Sequence, residues 1–235
     1  MNKMSENSIK YPSDKEAKEA ILEAGRRMYQ RGLVASNDGN ISCRVSDTEL
    51  WATPTGVSKG FMTEDMLVKM DINGNVLEGN LKPSSEMKMH LAIYRENPEA
   101  IAVTHAHPPV STAFAVAGEP LESPVLQEFI VQMGTVPVAK YAPPGSAELA
   151  ESVVPFCRTH NGVLLANHGV VTWGKDVMNA YFRLESVEYY ATIMMYTNII
   201  GKRKELSDEQ IAELMLIRKN LGITSGGVPK GGAGA

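Results

Sequence analysis

The order of its short apolar runs constrains this chain more than any other feature. Strand-like runs fall at 40–45, 50–53, 67–72, 75–78, 100–105, 136–138, 163–166 and 170–173. Helical spacing begins at the capping box Ser13-Asp14-Lys15-Glu16 and continues through Ala17, Ala20, Ile21, Ala24 and Met28 until Gly32 stops it. Further helical stretches are expected at 86–95, 110–117, 146–158, 176–200 and 207–221. Asn73-Gly74 between two strand-like runs is a hairpin signal. Strands and helices do not alternate as regular βαβ units. The pattern therefore predicts an α/β chain with a mixed, mainly antiparallel sheet and helices on its faces.

Composition narrows the function classes. With 235 residues, 43% of them hydrophobic, the chain can build its core without disulfides or a structural metal. A metal, if used, would serve chemistry. The net charge of −4 argues against a general nucleic-acid binder. Lys202-Arg203-Lys204 reads as a solvated turn after a helix. Cys43 and Cys157 are far apart and form no CxxC. The polar start lacks the apolar stretch of a signal peptide, and no apolar run is long enough to span a membrane. The expected location is the cytoplasm. Residues 1–12 are expected to be a flexible start, 13–222 a single domain, and 223–235 a Gly-rich mobile tail.

The chemistry-bearing residues cluster in a few motifs. In His105-Ala106-His107, extended backbone would turn both imidazoles to one side, as a metal site requires. Two surface histidines at a strand end would give the same pattern. Asn167-His168-Gly169 strengthens the metal reading, because His168 stands where an apolar run breaks into a turn. Glu86, after Pro83-Ser84-Ser85, is the candidate carboxylate; a first-turn helix residue favoured by the helix dipole is its plainer reading. His90, four residues on, is expected to be packed or to support a ligand, and His160 to sit in a turn. The turns Asn37-Asp38-Gly39-Asn40, Thr55-Gly56 and Ser84-Ser85 offer backbone N–H groups and short polar side chains that suit a phosphate. No glycine-rich nucleotide loop is present.

Taken together, Gly39-Asn40-Ile41-Ser42, Thr53-Pro54-Thr55-Gly56, Pro83-Ser84-Ser85-Glu86, His105-Ala106-His107 and Asn167-His168-Gly169 resemble the class II aldolase/adducin-head family. Within it, the L-fuculose-1-phosphate aldolase group is the nearest. The resemblance covers roughly residues 15–200. It implies a three-layer α/β/α fold with a central, mainly antiparallel sheet. It implies one Zn2+ per chain on His105, His107, His168 and Glu86, with Glu86 also the acid/base. Asn40, Thr55, Gly56, Ser84 and Ser85 would cradle a substrate phosphate, and a homotetramer would carry its sites between subunits. The implied reaction is cleavage of a 1-phospho-2-ketose to dihydroxyacetone phosphate and a small aldehyde, through a metal-held enediolate. Decarboxylation of a phosphorylated keto-sugar acid and dehydration of methylthioribulose phosphate are sister reactions of such a site. A non-catalytic, adducin-head-like binding module is the other class; the three histidines with Glu86 weigh against it. The aldolase group's tyrosine beyond the HxH helix has no counterpart in Val125-Leu126-Gln127-Glu128-Phe129, where Gln127 or Glu128 could take its role. The group's C-terminal tyrosine is also missing from 224–235.

Overall fold

Each strand-like run contributes to one eight-stranded sheet. The computed structural model describes residues 9–230 and residue 232. The strands are β1 (Asn40–Arg44), β2 (Glu49–Ala52), β3 (Val68–Asp71), β4 (Val76–Glu78), β5 (Ala102–Ala106), β6 (Val138–Ala139), β7 (Gly162–Leu165) and β8 (Gly169–Gly174). Their spatial order is β4-β3-β2-β1-β5-β8-β7-β6. Neighbours pair antiparallel except β6 with β7, which are parallel. The helices are α1 (Asp14–Gln30), α2 (Met87–Glu96), α3 (Pro109–Ala117), α4 (Gln127–Gln132), α5 (Ala147–Val153), α6 (Val177–Ile200) and α7 (Asp208–Asn220).

Both faces of the sheet are covered, and the strand residues sort between them with a period of two. Ala102 and Ala106 of β5, Leu164 of β7 and Val170 of β8 pack with α1, α3 and α6. Val103, Val163, Leu165, Val171 and Trp173 pack on the other side with α2 and α5. The fold is a mixed sheet with helices on both sides. The capping box at Ser13 opens α1 as its sequence implies, with Glu16 reaching back to the Ser13 N–H.

The structure departs from the sequence-based expectation in two places. The helix expected over 146–158 stops at Val153, and a single 3-10 turn, Val154–Phe156, follows. Pro155 has no N–H with which to continue the helical ladder. The six-residue α4 was not expected; it lacks a side-chain cap and is held by Phe129, whose ring stacks on Tyr190 at 4.0 Å between centroids. Described residues near both ends make contacts with the rest of the chain. Residues 1–8, 231 and 233–235 lie outside the described residues. Tyr11 nevertheless packs against the core and donates to Asp47 Oδ1 at 2.6 Å. In the expected mobile tail, the buried Arg218 guanidinium donates to the carbonyls of Ser225, Gly226 and Gly227.

Candidate metal centre and active site

The site forms at one end of the sheet, where the start of β1 lies beside the end of β5. The register pairs Asn40 with His105 and Ser42 with Val103, so these side chains share the face covered by α2. His107 follows β5 directly, and His168 sits in the turn between β7 and β8. Two close backbone approaches hold this corner. A Cβ on Gly39 (φ +76°) would lie 2.8 Å from the His105 carbonyl oxygen, and one on Gly169 would lie 2.5 Å from that of Ala106. Asn167, with φ of 57°, supplies the left-handed residue that turns the chain into His168.

The three imidazoles converge. One candidate ligand atom from each of His105, His107 and His168 lies within 4.8 Å of the others. His105 donates from Nδ1 to the Val170 carbonyl at 2.8 Å, and His107 Nδ1 faces Asp38 Oδ2 at 3.3 Å. Each ring therefore turns Nε2 inward, and the two Nε2 atoms stand 3.0 Å apart. Two lone pairs at that separation repel unless a proton or a cation lies between them. Nitrogen ligands with a carboxylate beside them suit a borderline divalent ion.

Glu86 is that carboxylate. It is buried at the N-cap of α2, with Oε2 3.2 Å from His105 Nε2 and Oε1 3.2 Å from His168 Nε2. Asn40 Nδ2 donates to Oε2 at 2.8 Å, whereas Oε1 is buried without a directed hydrogen bond. An orphaned buried oxygen facing three imidazoles fits a cation among them. Burial pushes the Glu86 carboxyl up, but His105, His168 and the Asn40 amide outweigh it and hold it well below the usual carboxylate range. Burial drives His168 down to about 4, helped by the charge of His105. Burial likewise lowers His107. For His105 burial is outweighed by the Glu86 charge, and its pKa rises.

The three small-residue turns meet beside Glu86. Asn40 Nδ2 reaches Ser84 Oγ at 3.2 Å. An isolated bridge pairs Pro54 with Pro83, and the Thr55 N–H donates to the Lys82 carbonyl at 2.9 Å, so the Thr55-Gly56 and Ser84-Ser85 loops lie side by side. Thr55, Gly56 and Ser85 are exposed and Ser84 is half-buried. His90 lies beneath Asn40 rather than among the metal-site atoms, and His160 sits in a turn next to Thr159. Gln127 and Glu128 are exposed on α4 and make no hydrogen bond to the site among the described residues.

Sequence reasoning gave no role to three neighbours. Asp38 orients His107 from within the Asn37–Asn40 turn. Gly145 lies against Ser85, where an added Cβ would be 3.1 Å from the serine Cβ. Lys59 is buried and donates to the carbonyls of Asn37 and Val57, tying two of the loops together. Only a lone lysine after a turn marks it in the sequence, and that signal is weak.

Comparison with known proteins identifies the family. Residues 19–195 match the family model described as Class II Aldolase and Adducin N-terminal domain. The 3-oxo-tetronate 4-phosphate decarboxylase of Haemophilus influenzae is 34% identical over 207 residues, 86% of this chain and 97% of that protein. The L-fuculose phosphate aldolase of Methanocaldococcus jannaschii is 34% identical over 187 residues, 79% of this chain and 99% of the relative. A solved L-fuculose 1-phosphate aldolase superposes with a TM-score of 0.80 at 33% identity, covering 88% of this chain and 96% of that one. The polypeptide belongs to the class II aldolase and adducin N-terminal domain family.

Proposed function

We propose that this protein is a metal-dependent carbon–carbon lyase acting on a phosphorylated ketose, with dihydroxyacetone phosphate as one product. The observation that carries this reading is the Glu86 carboxylate, one oxygen held by Asn40 and the other left without a directed partner beside His168. His105, His107 and His168 would hold the cation, taken to be zinc, with Glu86 as a further ligand. The cation, when bound, supplies Lewis acidity to the oxygens next to the bond that breaks. Asn40, Thr55, Gly56, Ser84 and Ser85 bind the substrate phosphate through amide, hydroxyl and backbone N–H groups. Remote phosphate binding then holds the reacting carbons beside Glu86. In aldol cleavage the C3–C4 bond breaks with its electron pair left on C3, the C4 hydroxyl passes its proton to water and C4 becomes the aldehyde. Glu86 returns a proton to C3.

One observation favours the decarboxylase reading. Release of CO2 needs no base for a C4 hydroxyl, and α4 offers no tyrosine: its one aromatic ring, Phe129, is stacked away on Tyr190. The decarboxylase and aldolase relatives are equally identical to this chain at 34%, over 86% and 79% of it. The test is direct. Zinc-loaded protein is given L-fuculose 1-phosphate or 3-oxo-tetronate 4-phosphate, and dihydroxyacetone phosphate, aldehyde and CO2 are measured with and without chelator. Aldehyde from the first substrate supports the aldolase, CO2 from the second the decarboxylase. Turnover that survives complete metal removal overturns both.

The homotetramer is part of the same proposal. Ile199 and Ile200 at the end of α6 are 74% and 70% exposed, next to exposed Tyr196. Contiguous apolar surface of this kind suits a subunit contact. A monomer in sedimentation equilibrium would remove this part of the reading.

A further inference from the structure

A buried chain of hydrogen bonds runs from α2 through β1 to Glu86, and its polarity is fixed at every link. Tyr94 OH lies 2.7 Å from Ser42 Oγ, and Ser42 Oγ lies 2.7 Å from His90 Nδ1. His90 Nε2 lies 2.6 Å from Asn40 Oδ1, and Asn40 Nδ2 lies 2.8 Å from Glu86 Oε2. Tyr94, Ser42, His90 and Asn40 are all buried. The direction follows from the end at the site. An ionised carboxylate only accepts, so Asn40 must turn its NH2 toward Glu86 and its carbonyl toward His90. That carbonyl also only accepts, so His90 carries its proton on Nε2. Burial keeps the ring neutral, so Nδ1 accepts and the Ser42 hydroxyl must donate to it. Ser42 has then spent its proton and accepts from Tyr94.

We propose that His90 is a positioning residue whose Nε2–H tautomer, with Nδ1 accepting from Ser42, keeps the Asn40 amide group pointed at Glu86 and Ser84. This rests on the proposed role of Glu86 and Asn40 at the site. Were the tautomer reversed, His90 Nε2 would become an acceptor. Asn40 would then turn its NH2 to His90 and its carbonyl oxygen to the carboxylate, and Glu86 and Ser84 would lose their shared donor. The spacing makes this possible: Asn40 and Ser42 are two apart on one face of β1, and His90 and Tyr94 are one turn apart on α2.

The tautomer is measured without substrate. Zinc-loaded protein carrying 15N-histidine and His160→Gln retains four histidines, the three of the cluster and His90. Its long-range 1H–15N spectrum is expected to contain one neutral, metal-free ring protonated at Nε2. That ring should persist in Tyr94→Phe and change in Ser42→Ala. In the same background, Ser42→Ala should lower kcat by roughly 10- to 100-fold at unchanged zinc content, the usual effect of removing a supporting partner behind a metal site. Tyr94→Phe deletes a neighbouring hydroxyl but leaves the Ser42–His90 bond, and should cost less than about threefold, the worth of one modest hydrogen bond. A metal-free ring protonated at Nδ1, or equal losses in the two variants, overturns the proposal. The expected tautomer in a protein inactive on both sugar phosphates would instead sink the functional reading and leave the hydrogen-bond polarity standing.

Discussion

The proposed reading gives Glu86 two jobs, and substitution can separate them. As a charged oxygen ligand it steadies the cation; as an acid/base it moves a proton. Glu86→Gln keeps the length and one oxygen but cannot carry a proton. If proton transfer is its work, the variant should retain most of its zinc while kcat falls by about 10²–10⁴. Metal analysis and steady-state kinetics on the same sample check this. Low zinc with near-normal turnover once saturated would leave Glu86 a ligand alone. Of the candidate residues, His105, His107, His168 and Glu86 were legible because each stands in a short motif, and the structure brings them together. The support for them was not legible. His90 is expected to be packed or to support a ligand, but its bond to Ser42 joins a strand to a helix, and Asp38 and Lys59 act between loops; none of these contacts is written in local sequence.

At the scale of elements, periodicity revealed nearly every strand and long helix because both faces of the sheet are buried and apolar. It failed for α4, whose turn and a half is stabilised by the Phe129–Tyr190 stack rather than by its own caps. It also ran α5 through Pro155. The loops between elements carry a titration of their own. Burial lowers Lys59 to about 8. Between pH 8 and the ordinary lysine range the unfolded chain holds this proton and the folded chain does not, so stability rises with pH across that window. Lys59→Met abolishes the rise and also leaves the Asn37 and Val57 carbonyls without their donor. Wild-type stability minus that of Lys59→Met should therefore climb by on the order of 3 kcal/mol from pH 8 to 10.5. Urea melts at several pH values would show it. A flat difference would mean that Lys59 keeps its charge when buried.

For the molecule as a whole, the described start of the tail bonds to the fold through Arg218. Arg218 sits buried at the end of α7, satisfied by backbone carbonyls that lie after the last helix. Ending the chain at residue 222 would strand that charge. Hydrogen bonds to charged groups contribute about 1.5–3 kcal/mol each. Three such bonds are lost, and at about 2–4 °C per kcal/mol for a chain of this size the truncation should lower Tm by roughly 10 °C or more. Zinc content should stay the same, because the site lies at the opposite ends of β5 and β8. Calorimetry on the two lengths is sufficient. An unchanged Tm would return the tail to the loose state its composition suggests.

The pairing of Asn40 with His105 sets when in folding the site can exist. Asn40 and Glu86 reach His105 only after β1 has joined β5, and His168 arrives only with the β7–β8 hairpin. The β1–β5 pairing, and the β5–β8 pairing that brings the hairpin to His105, are non-local and slow to form because long loops must close first. A half-folded chain, or one still missing its last strand during synthesis, therefore offers a cation no complete set of ligands. Under the proposed reading, metal uptake would be a late event that marks a finished sheet. A cation bound to the native state alone would pull the folding equilibrium toward completion.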